Sequence, residues 1–107
     1  MNIIQDLYNI VLQRKQVPEQ GSYTCYLFEQ GIDKILKKCG EECTEMVIAA
    51  KNADNAELTN EIADLIYHIL VLCAERQLPW SEVEAVLTER RNKIGNLKEI
   101  RQTDRNT

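Results

Sequence analysis

The acidic residues of this 107-residue chain include two short clusters whose spacing suits a metal ion. Glu42 and Glu45 are three residues apart, as are Glu61 and Asp64, and residues with this spacing share one face of an α-helix. Two helices joined by a short turn pack antiparallel, so the two pairs are expected to face each other. Four converging carboxylates repel one another unless a cation neutralises them. The spacing therefore predicts a site for a hard divalent cation, Mg²⁺, for which Mn²⁺ could substitute.

A solvent-exposed acidic helix face is the alternative interpretation of these clusters. It is favoured for Glu41, which directly precedes Glu42, when that residue is considered alone. It is weaker for Asp64 and His68, because both lie in the most apolar helical segment of the chain, where burying an unpaired acid is costly. The single His68 is either a hydrogen-bonding or proton-transfer group or a structural residue.

Basic side chains flank the first acidic cluster. The predicted helix that carries this cluster also carries Lys34, Lys37, Lys38, Lys51 and Asn52. A cationic end beside an anionic middle is suited to a metal-bound phosphate. Ion pairs within the helix, such as Lys38 with Glu41 or Glu42, are the alternative, and each stabilises by only about 0.2–0.5 kcal/mol. Arg14 and Lys15 could contact phosphates or simply interact with the end of the first helix.

The four cysteines are expected to be reduced. Cys25, Cys39, Cys43 and Cys73 form no Cys-x-x-Cys motif, and the chain has no secretory context. Cys39 and Cys43 are four residues apart and could bind zinc together with Cys73 and His68. Packing in the core is the favoured interpretation, because cysteine is among the most often buried residues and this pair lies among apolar side chains.

Length and composition exclude several classes of protein. A chain of 107 residues forms one domain, and a net charge of −4 with 6% aromatic residues argues against a nucleic-acid-binding surface. The longest apolar stretch, residues 62–74, contains Asp64 and His68 and is shorter than the roughly 20 residues that span a bilayer. The first residues carry no secretory signal. We therefore expect a cytoplasmic protein with no membrane or nucleic-acid partner.

The elements that must position these residues are helical. Apolar residues recur every three to four positions and no alternating strand-like run is present, so an all-α fold, a small bundle of about four helices, is predicted. The first helix ends before Pro18, and a loop containing residues 20–24 follows. Later helices are expected at about residues 33–51, 56–76 and 81–91. Asp54 with Glu57, and Ser81 with Glu84, have the spacing of helix-start signals.

The helix at about residues 56–76 carries an apolar arc that is wider than one small partner helix would bury. It consists of Leu58, Ile62, Leu65, Ile66, Ile69, Leu70 and Cys73. This arc predicts a homodimer with a shared helical core. The domain is expected to span residues 1–91, and residues 92–107 are expected to form a basic, polar and flexible tail.

Several motifs, in their order along the chain, resemble the phosphoribosyl-ATP pyrophosphatase family. They are Gly21-Ser22-Tyr23-Thr24, Lys37-Lys38, Gly40-Glu41-Glu42, Glu45, Lys51-Asn52, and Glu61 with Ala63-Asp64-Leu65-Ile66-Tyr67-His68. The resemblance covers about residues 7–90. The two acidic pairs alone indicate only the wider superfamily of all-α nucleotide pyrophosphatases, whereas the Gly-Ser-Tyr-Thr loop and the Lys-Lys-x-Gly-Glu-Glu run indicate this family.

The resemblance implies a reaction and a set of residues. The reaction is the Mg²⁺-dependent hydrolysis of phosphoribosyl-ATP to phosphoribosyl-AMP and pyrophosphate, the second step of histidine biosynthesis. The implied catalytic metal ligands are Glu42, Glu45, Glu61 and Asp64, with Glu41 bound to the metal or beside its ligands. The implied contacts to phosphates and ribose are Lys34, Lys37, Lys38, Lys51 and Asn52, with Ser22, Tyr23 and His68 on the substrate side. The family also implies homodimers with sites near the subunit interface, and we expect the form without a fused cyclohydrolase.

Two other functions remain compatible with the sequence. One is an all-α pyrophosphatase that acts on an ordinary or damaged nucleoside triphosphate, which substrate profiling would distinguish. The other is a non-catalytic helical dimerisation module whose acidic clusters only increase solubility. In the second case, Glu45→Ala and Asp64→Asn would leave metal binding and function unchanged.

Overall fold

The computed structural model describes residues 2–93, which form five α-helices. They are α1 (Ile3–Gln16), α2 (Tyr23–Gln30), α3 (Ile32–Lys51), α4 (Asn55–Glu75) and α5 (Trp80–Asn92). The described part of the chain contains no strand, so the predicted all-α class is confirmed. The predicted number of about four helices is too low by one, because α2 begins within the expected loop at residues 20–24 and continues to Gln30. Residues 94–107, most of the predicted tail, lie outside the described residues.

Helix α2 is short but has a defined start and a defined end. The Ser22 hydroxyl accepts a hydrogen bond from the backbone N–H of Cys25 at 3.2 Å, which satisfies one of the free N–H groups at the helix start. Gly31 ends the helix with φ of +90°, and its N–H donates to the carbonyl of Leu27. The Gly31 carbonyl also accepts the first hydrogen bond of α3, from Ile35, so this residue alone separates the two helices.

Helices α3 and α4 form an antiparallel hairpin. The connecting residues are Asn52, Ala53 and Asp54, and Ala53 adopts a left-handed conformation with φ of +56°. The carboxylate of Asp54 accepts a hydrogen bond from the backbone N–H of Glu57 at 3.1 Å. The helix-start signal predicted at Asp54 is therefore confirmed, and the hairpin places the two acidic clusters on adjacent helices.

The start signal predicted at Ser81 is wrong. Pro79 precedes the first helical residue, Trp80, and its φ of −63° already suits a helix start. Ser81 therefore lies within the first turn of α5, where no side chain caps the helix. The carbonyl of Pro79 instead accepts a hydrogen bond from the N–H of Glu82 at 3.1 Å.

The core draws on the first four helices. The largest fully buried side chains are Val11 of α1, Leu27 of α2, Ile35 of α3, and Leu70 and Val71 of α4. Trp80 at the start of α5 packs against the edge of this cluster. The side chains of α1 and α2 thus cover one side of the α3–α4 hairpin, and the hairpin forms the base on which the acidic residues are placed.

The opposite side of the hairpin retains apolar residues that residues 2–93 do not cover. Leu36, Val47 and Ile48 of α3 and Ile62 of α4 are 49%, 58%, 54% and 40% exposed. The buried residues of α3 are Ile35, Glu42 and Ala49. None of the helices in the range 2–93 is both long and apolar enough to cross a membrane.

Replacing Ser22 should test whether α2 depends on its cap. We expect Ser22→Ala to lower the free energy of unfolding by about 1 kcal/mol, because the N–H of Cys25 loses its acceptor. Ser22→Asp should lose much less, since Asp accepts the same hydrogen bond. Urea denaturation followed by circular dichroism measures both values. Equal stability of wild type and Ser22→Ala would contradict this account of α2.

Candidate metal and phosphate site

Three carboxylates from α3 and α4 meet at the helix interface. Single oxygen atoms of Glu42, Glu45 and Glu61 all lie within 4.8 Å of one another. The residues Glu42 and Glu61 are only 6% and 8% exposed, whereas Glu45 is exposed. The seven-residue spacing of Ile35, Glu42 and Ala49 keeps Glu42 on the buried stripe of α3. Sequence spacing thus predicted correctly that acidic residues of the two helices face each other.

Two of these carboxylates have an oxygen atom without any partner. Glu42 Oε2 and Glu61 Oε2 are buried and accept no hydrogen bond from residues 2–93. Buried carboxylate oxygens without a partner are costly, and either a proton or a cation can offset that cost. An all-oxygen set of ligands at these distances suits a hard cation such as Mg²⁺. The residues present therefore fit the predicted metal.

Glu57 joins this cluster although the sequence assigned it no role at the site. It precedes Glu61 by one turn of α4, and both line a cavity of about 420 Å³ together with Glu45, Asn52 and Asp54. The pKa of Glu61 is raised to about 7, chiefly because protonated Glu61 can donate a hydrogen bond to Glu57. Burial and the neighbouring Glu45 raise it further. The four-residue spacing of Glu57 and Glu61 was the available signal in the sequence.

Asp64 lies apart from the three converging carboxylates. It follows Glu61 by one turn of α4, and its side chain is exposed to solvent. Its backbone carbonyl is engaged, because His68 Nδ1 lies 2.7 Å from it. Of the four carboxylates predicted to converge, Glu42, Glu45 and Glu61 do so, and Asp64 lies at the edge of this group.

Lys38 links the acidic cluster to its basic flank. Its Nζ lies 3.6 Å from Glu41 Oε2 and 3.6 Å from Glu42 Oε1. Burial, the largest single effect, disfavours the ammonium, but ionised Tyr23 and the carboxylates of Glu41 and Glu42 together outweigh it, so the pKa of Lys38 is raised. Glu41 also pairs with Lys37 at 4.0 Å. The two interpretations of these lysines are therefore compatible, since ion pairs within the helix hold the cations beside the carboxylates.

The other residues predicted to contact phosphate are not held against the acidic cluster by ion pairs among residues 2–93. Lys34 is half-buried on α3, Lys51 is exposed at the end of that helix, and neither forms an ion pair with residues 2–93. Asn52 lines the cavity beside Glu45. Arg14 and Lys15 serve other contacts: Arg14 pairs with Glu19 at 3.1 Å, and Lys15 donates to the carbonyl of Ala74 at 3.1 Å.

Ser22, Tyr23 and His68 connect α2 to the same region. Ser22 caps α2, and Tyr23, its first residue, reaches His68 of α4 with 2.9 Å between Oη and Nε2. Ser22 and Tyr23 also line a cavity of about 480 Å³. Burial is the largest cause of the raised pKa of Tyr23, while the nearby Lys38 ammonium lowers it. Helix α2 therefore brings a tyrosine to His68 of α4, near enough to Lys38 for the two groups to affect each other's pKa.

The cysteines form no metal site within the described range. All four are free thiols. Cys25 and Cys73 are buried and Cys39 is half-buried, but Cys43 is exposed, so the expectation that Cys43 packs in the core is wrong. Its helix turns it away from Ile35 and toward the uncovered side of the hairpin. Among residues 2–93, the potential metal-binding group of three or more side chains contains carboxylates only.

Comparison with known proteins shows the family to which this chain belongs. The sequence pattern of the family described as phosphoribosyl-ATP pyrophosphohydrolase matches residues 4–91. The chain is 54% identical to the phosphoribosyl-ATP pyrophosphatase of Clostridium botulinum strain Hall over 95% of this chain and 93% of that protein. It is 51% identical to the enzyme of the same name from Listeria welshimeri, over 95% of this chain and 98% of that protein. The chain is therefore a member of the phosphoribosyl-ATP pyrophosphohydrolase family, a family of enzymes that hydrolyse a phosphoanhydride bond.

Proposed function

We propose that this protein hydrolyses phosphoribosyl-ATP to phosphoribosyl-AMP and pyrophosphate in a Mg²⁺-dependent reaction, the second step of histidine biosynthesis. The observation that carries the proposal is the pair of buried carboxylate oxygens of Glu42 and Glu61, beside Glu45, that find no hydrogen-bond partner among residues 2–93. The names of relatives that are about half identical over nearly the whole chain support the choice of substrate. A cytoplasmic location is part of the proposal.

The carboxylates are proposed to hold the cation. Glu42, Glu45 and Glu61 supply oxygen ligands from two helices, and Mn²⁺ would bind the same set. Asp64 is one helical turn away on α4 and is proposed as a further ligand, on the basis of the family resemblance. Bound Mg²⁺ would neutralise phosphate charge and stabilise the pyrophosphate leaving group.

The remaining residues are proposed to bind the substrate and to position water. Lys38, held between Glu41 and Glu42, supplies a cation next to the carboxylates, where the phosphates would lie. The other proposed contacts to phosphates and ribose are Lys34, Lys37, Lys51 and Asn52. One carboxylate orients the attacking water. Because this water is the nucleophile, no side chain needs to form a covalent intermediate.

Removing one carboxylate should test the reaction and its metal dependence together. We expect purified protein to release pyrophosphate from phosphoribosyl-ATP with Mg²⁺ but not with EDTA. Glu45→Gln and Glu61→Gln should each lower kcat/KM by about 100-fold or more, because each loses a charged ligand of the cation. Glu82→Gln, an exposed acid in the first turn of α5, is the matched control and should match the wild type.

The same assay separates the alternative functions. ATP and dUTP are tested in parallel. Release from either of these in place of phosphoribosyl-ATP would overturn the proposed substrate and retain the carboxylate site. Full activity of Glu45→Gln and Glu61→Gln, or activity that survives EDTA, would overturn the metal site.

The raised pKa of Glu61 gives the metal-free protein a characteristic pH dependence. The carboxyl group binds its proton more tightly in the folded protein, with a pKa of about 7, than in the unfolded chain, with a pKa near 4.5. Its contribution to the free energy of unfolding is thus fully present below about pH 4.5 and is lost as pH rises through 7. In EDTA, wild type should lose more stability than Glu61→Gln between pH 5 and 8.

Urea denaturation at several pH values measures this difference. Added Mg²⁺ should restore wild-type stability at pH 8, because the cation replaces the proton among the carboxylates. Parallel pH profiles for wild type and Glu61→Gln would show that Glu61 does not titrate in this range.

We also propose that two copies of the chain associate through the uncovered side of the α3–α4 hairpin. Leu36, Val47, Ile48 and Ile62 provide exposed apolar surface there, and exposed apolar surface on a folded chain supports an interaction site. Ile48 also lines the cavity that contains Glu45 and Glu61. Association on this face would therefore place the site near the subunit boundary, as the family resemblance implies.

Charged substitutions on this face should separate the two copies. We expect Val47→Glu and Ile62→Glu to convert a dimer to a monomer, because each would bury an unpaired charge at the interface. Leu87→Glu is the control, since Leu87 is 52% exposed on α5 and outside the hairpin. Sedimentation velocity reports the masses. A monomeric wild type, or a dimer that survives both substitutions, would contradict this interface.

A further inference from the structure

His68 is the single histidine of the chain, and residues 2–93 bury its side chain. It is only 5% exposed, and the rings of Tyr23 and Tyr67 meet it edge to face, with centroids 5.7 Å and 5.6 Å away. Its backbone carbonyl accepts a hydrogen bond from Cys39 Sγ at 3.5 Å. A side chain enclosed in this way does not reach a ligand in solution, although the sequence placed it on the substrate side.

The hydrogen bonds of His68 determine which ring nitrogen carries the proton. Nδ1 lies 2.7 Å from the backbone carbonyl of Asp64, and a carbonyl can only accept, so Nδ1 must be the donor. In the neutral ring Nε2 is then an acceptor. The partner of Nε2 is Tyr23 Oη at 2.9 Å, so with a neutral ring the phenol O–H donates a hydrogen bond to Nε2.

This direction of the hydrogen bond limits what Tyr23 can do for its other neighbours. A phenol has one O–H donor, and here that donor is directed to His68, so the oxygen can only accept from other groups. The Lys38 ammonium, a donor without acceptor capacity, is near enough for the two groups to shift each other's pKa. Tyr23 itself is 45% exposed, so it is open to a bound molecule as well.

We propose that His68 is a positioning residue that holds the Tyr23 phenol as a hydrogen-bond acceptor beside Lys38, so that Tyr23 and Lys38 contact the substrate and the histidine does not. The inference rests on the proposed function for its kinetic consequence. Its geometric part, a fixed tautomer of His68 bonded to Tyr23, can be tested without the reaction.

Nuclear magnetic resonance of the single imidazole tests the geometry. Recorded under conditions in which the ring is neutral, long-range ¹H–¹⁵N correlation spectra of wild type should show a protonated Nδ1 and a bare Nε2. In Tyr23→Phe the Nε2 resonance should move downfield, because it loses its hydrogen-bond donor, while Nδ1 keeps its proton. A proton on Nε2 in wild type, or an unchanged Nε2 resonance in Tyr23→Phe, would overturn the proposal.

Two polar replacements of His68 test the consequence for the reaction. Gln reaches the former position of Nε2 and can accept from Tyr23, whereas Asn reaches only the former position of Nδ1 and leaves Tyr23 without a partner. We expect His68→Asn and Tyr23→Phe each to lower kcat/KM about tenfold, the usual effect of losing one hydrogen bond. His68→Gln should retain most of the wild-type value.

The double variant Tyr23→Phe/His68→Asn should be no more than about twofold slower than either single variant, because both remove the same interaction. Effects that multiply, or a folded His68→Asn as active as wild type, would overturn the positioning role. Thermal melting of each variant shows whether it is folded. A wild type that releases no pyrophosphate overturns the proposed function, and the imidazole spectra then still decide the arrangement of Tyr23 and His68.

Discussion

Negative charge buried between two helices is the constraint on which the rest of this structure depends. Glu42 and Glu61 are almost fully enclosed, and each has an oxygen atom that no group of residues 2–93 satisfies. Such an arrangement is costly for the folded chain alone. The cost is offset by the apolar packing of Ile35, Leu70 and Val71 in the same hairpin. The protein thus uses core stability to keep a cluster of like charges together, which is typical of a binding site.

Helix α2 connects this cluster to the side of the molecule that α1 occupies. Its buried Leu27 anchors it in the core, and its first residue, Tyr23, reaches α4. Lys38 pairs with Glu41 and Glu42, and both carboxylates favour its charged form. A lysine, Lys38, and a tyrosine, Tyr23, therefore lie on the flank of the acidic cluster. The helix that supplies the tyrosine has only eight residues.

The sequence was sufficient for the features that depend on helical periodicity. The spacing of Glu42, Glu45 and Glu61 predicted their convergence because α3 and α4 are long and the turn between them is short. Helix α2 was missed because eight residues give too little periodicity, although Ser22 and Gly31 marked its ends. The start of α5 was misplaced because Pro79, not Ser81, sets it.

Side-chain direction around a helix was the second limit of sequence reasoning. The sequence predicts that Cys43 packs in the core, but its side chain is exposed. Its apolar neighbours Leu36 and Val47 lie on the same uncovered face of α3, so their apolar character did not indicate burial. Glu57 was recognised as part of a helix start but not as a neighbour of Glu61, since its pairing depends on side-chain rotamers.

Gly31 fixes the orientation of α2 relative to α3, because it is the only residue between the two helices. Its φ of +90° and ψ of −174° lie where only glycine is comfortable, and an added Cβ would meet no atom within 4 Å, so the restriction is purely torsional. With one residue as the whole connection, an insertion or deletion there would rotate Tyr23 about the α3 axis, away from Lys38. The length of this junction is therefore as much a determinant of the site as any of its side chains, and natural length variation should concentrate elsewhere in the chain.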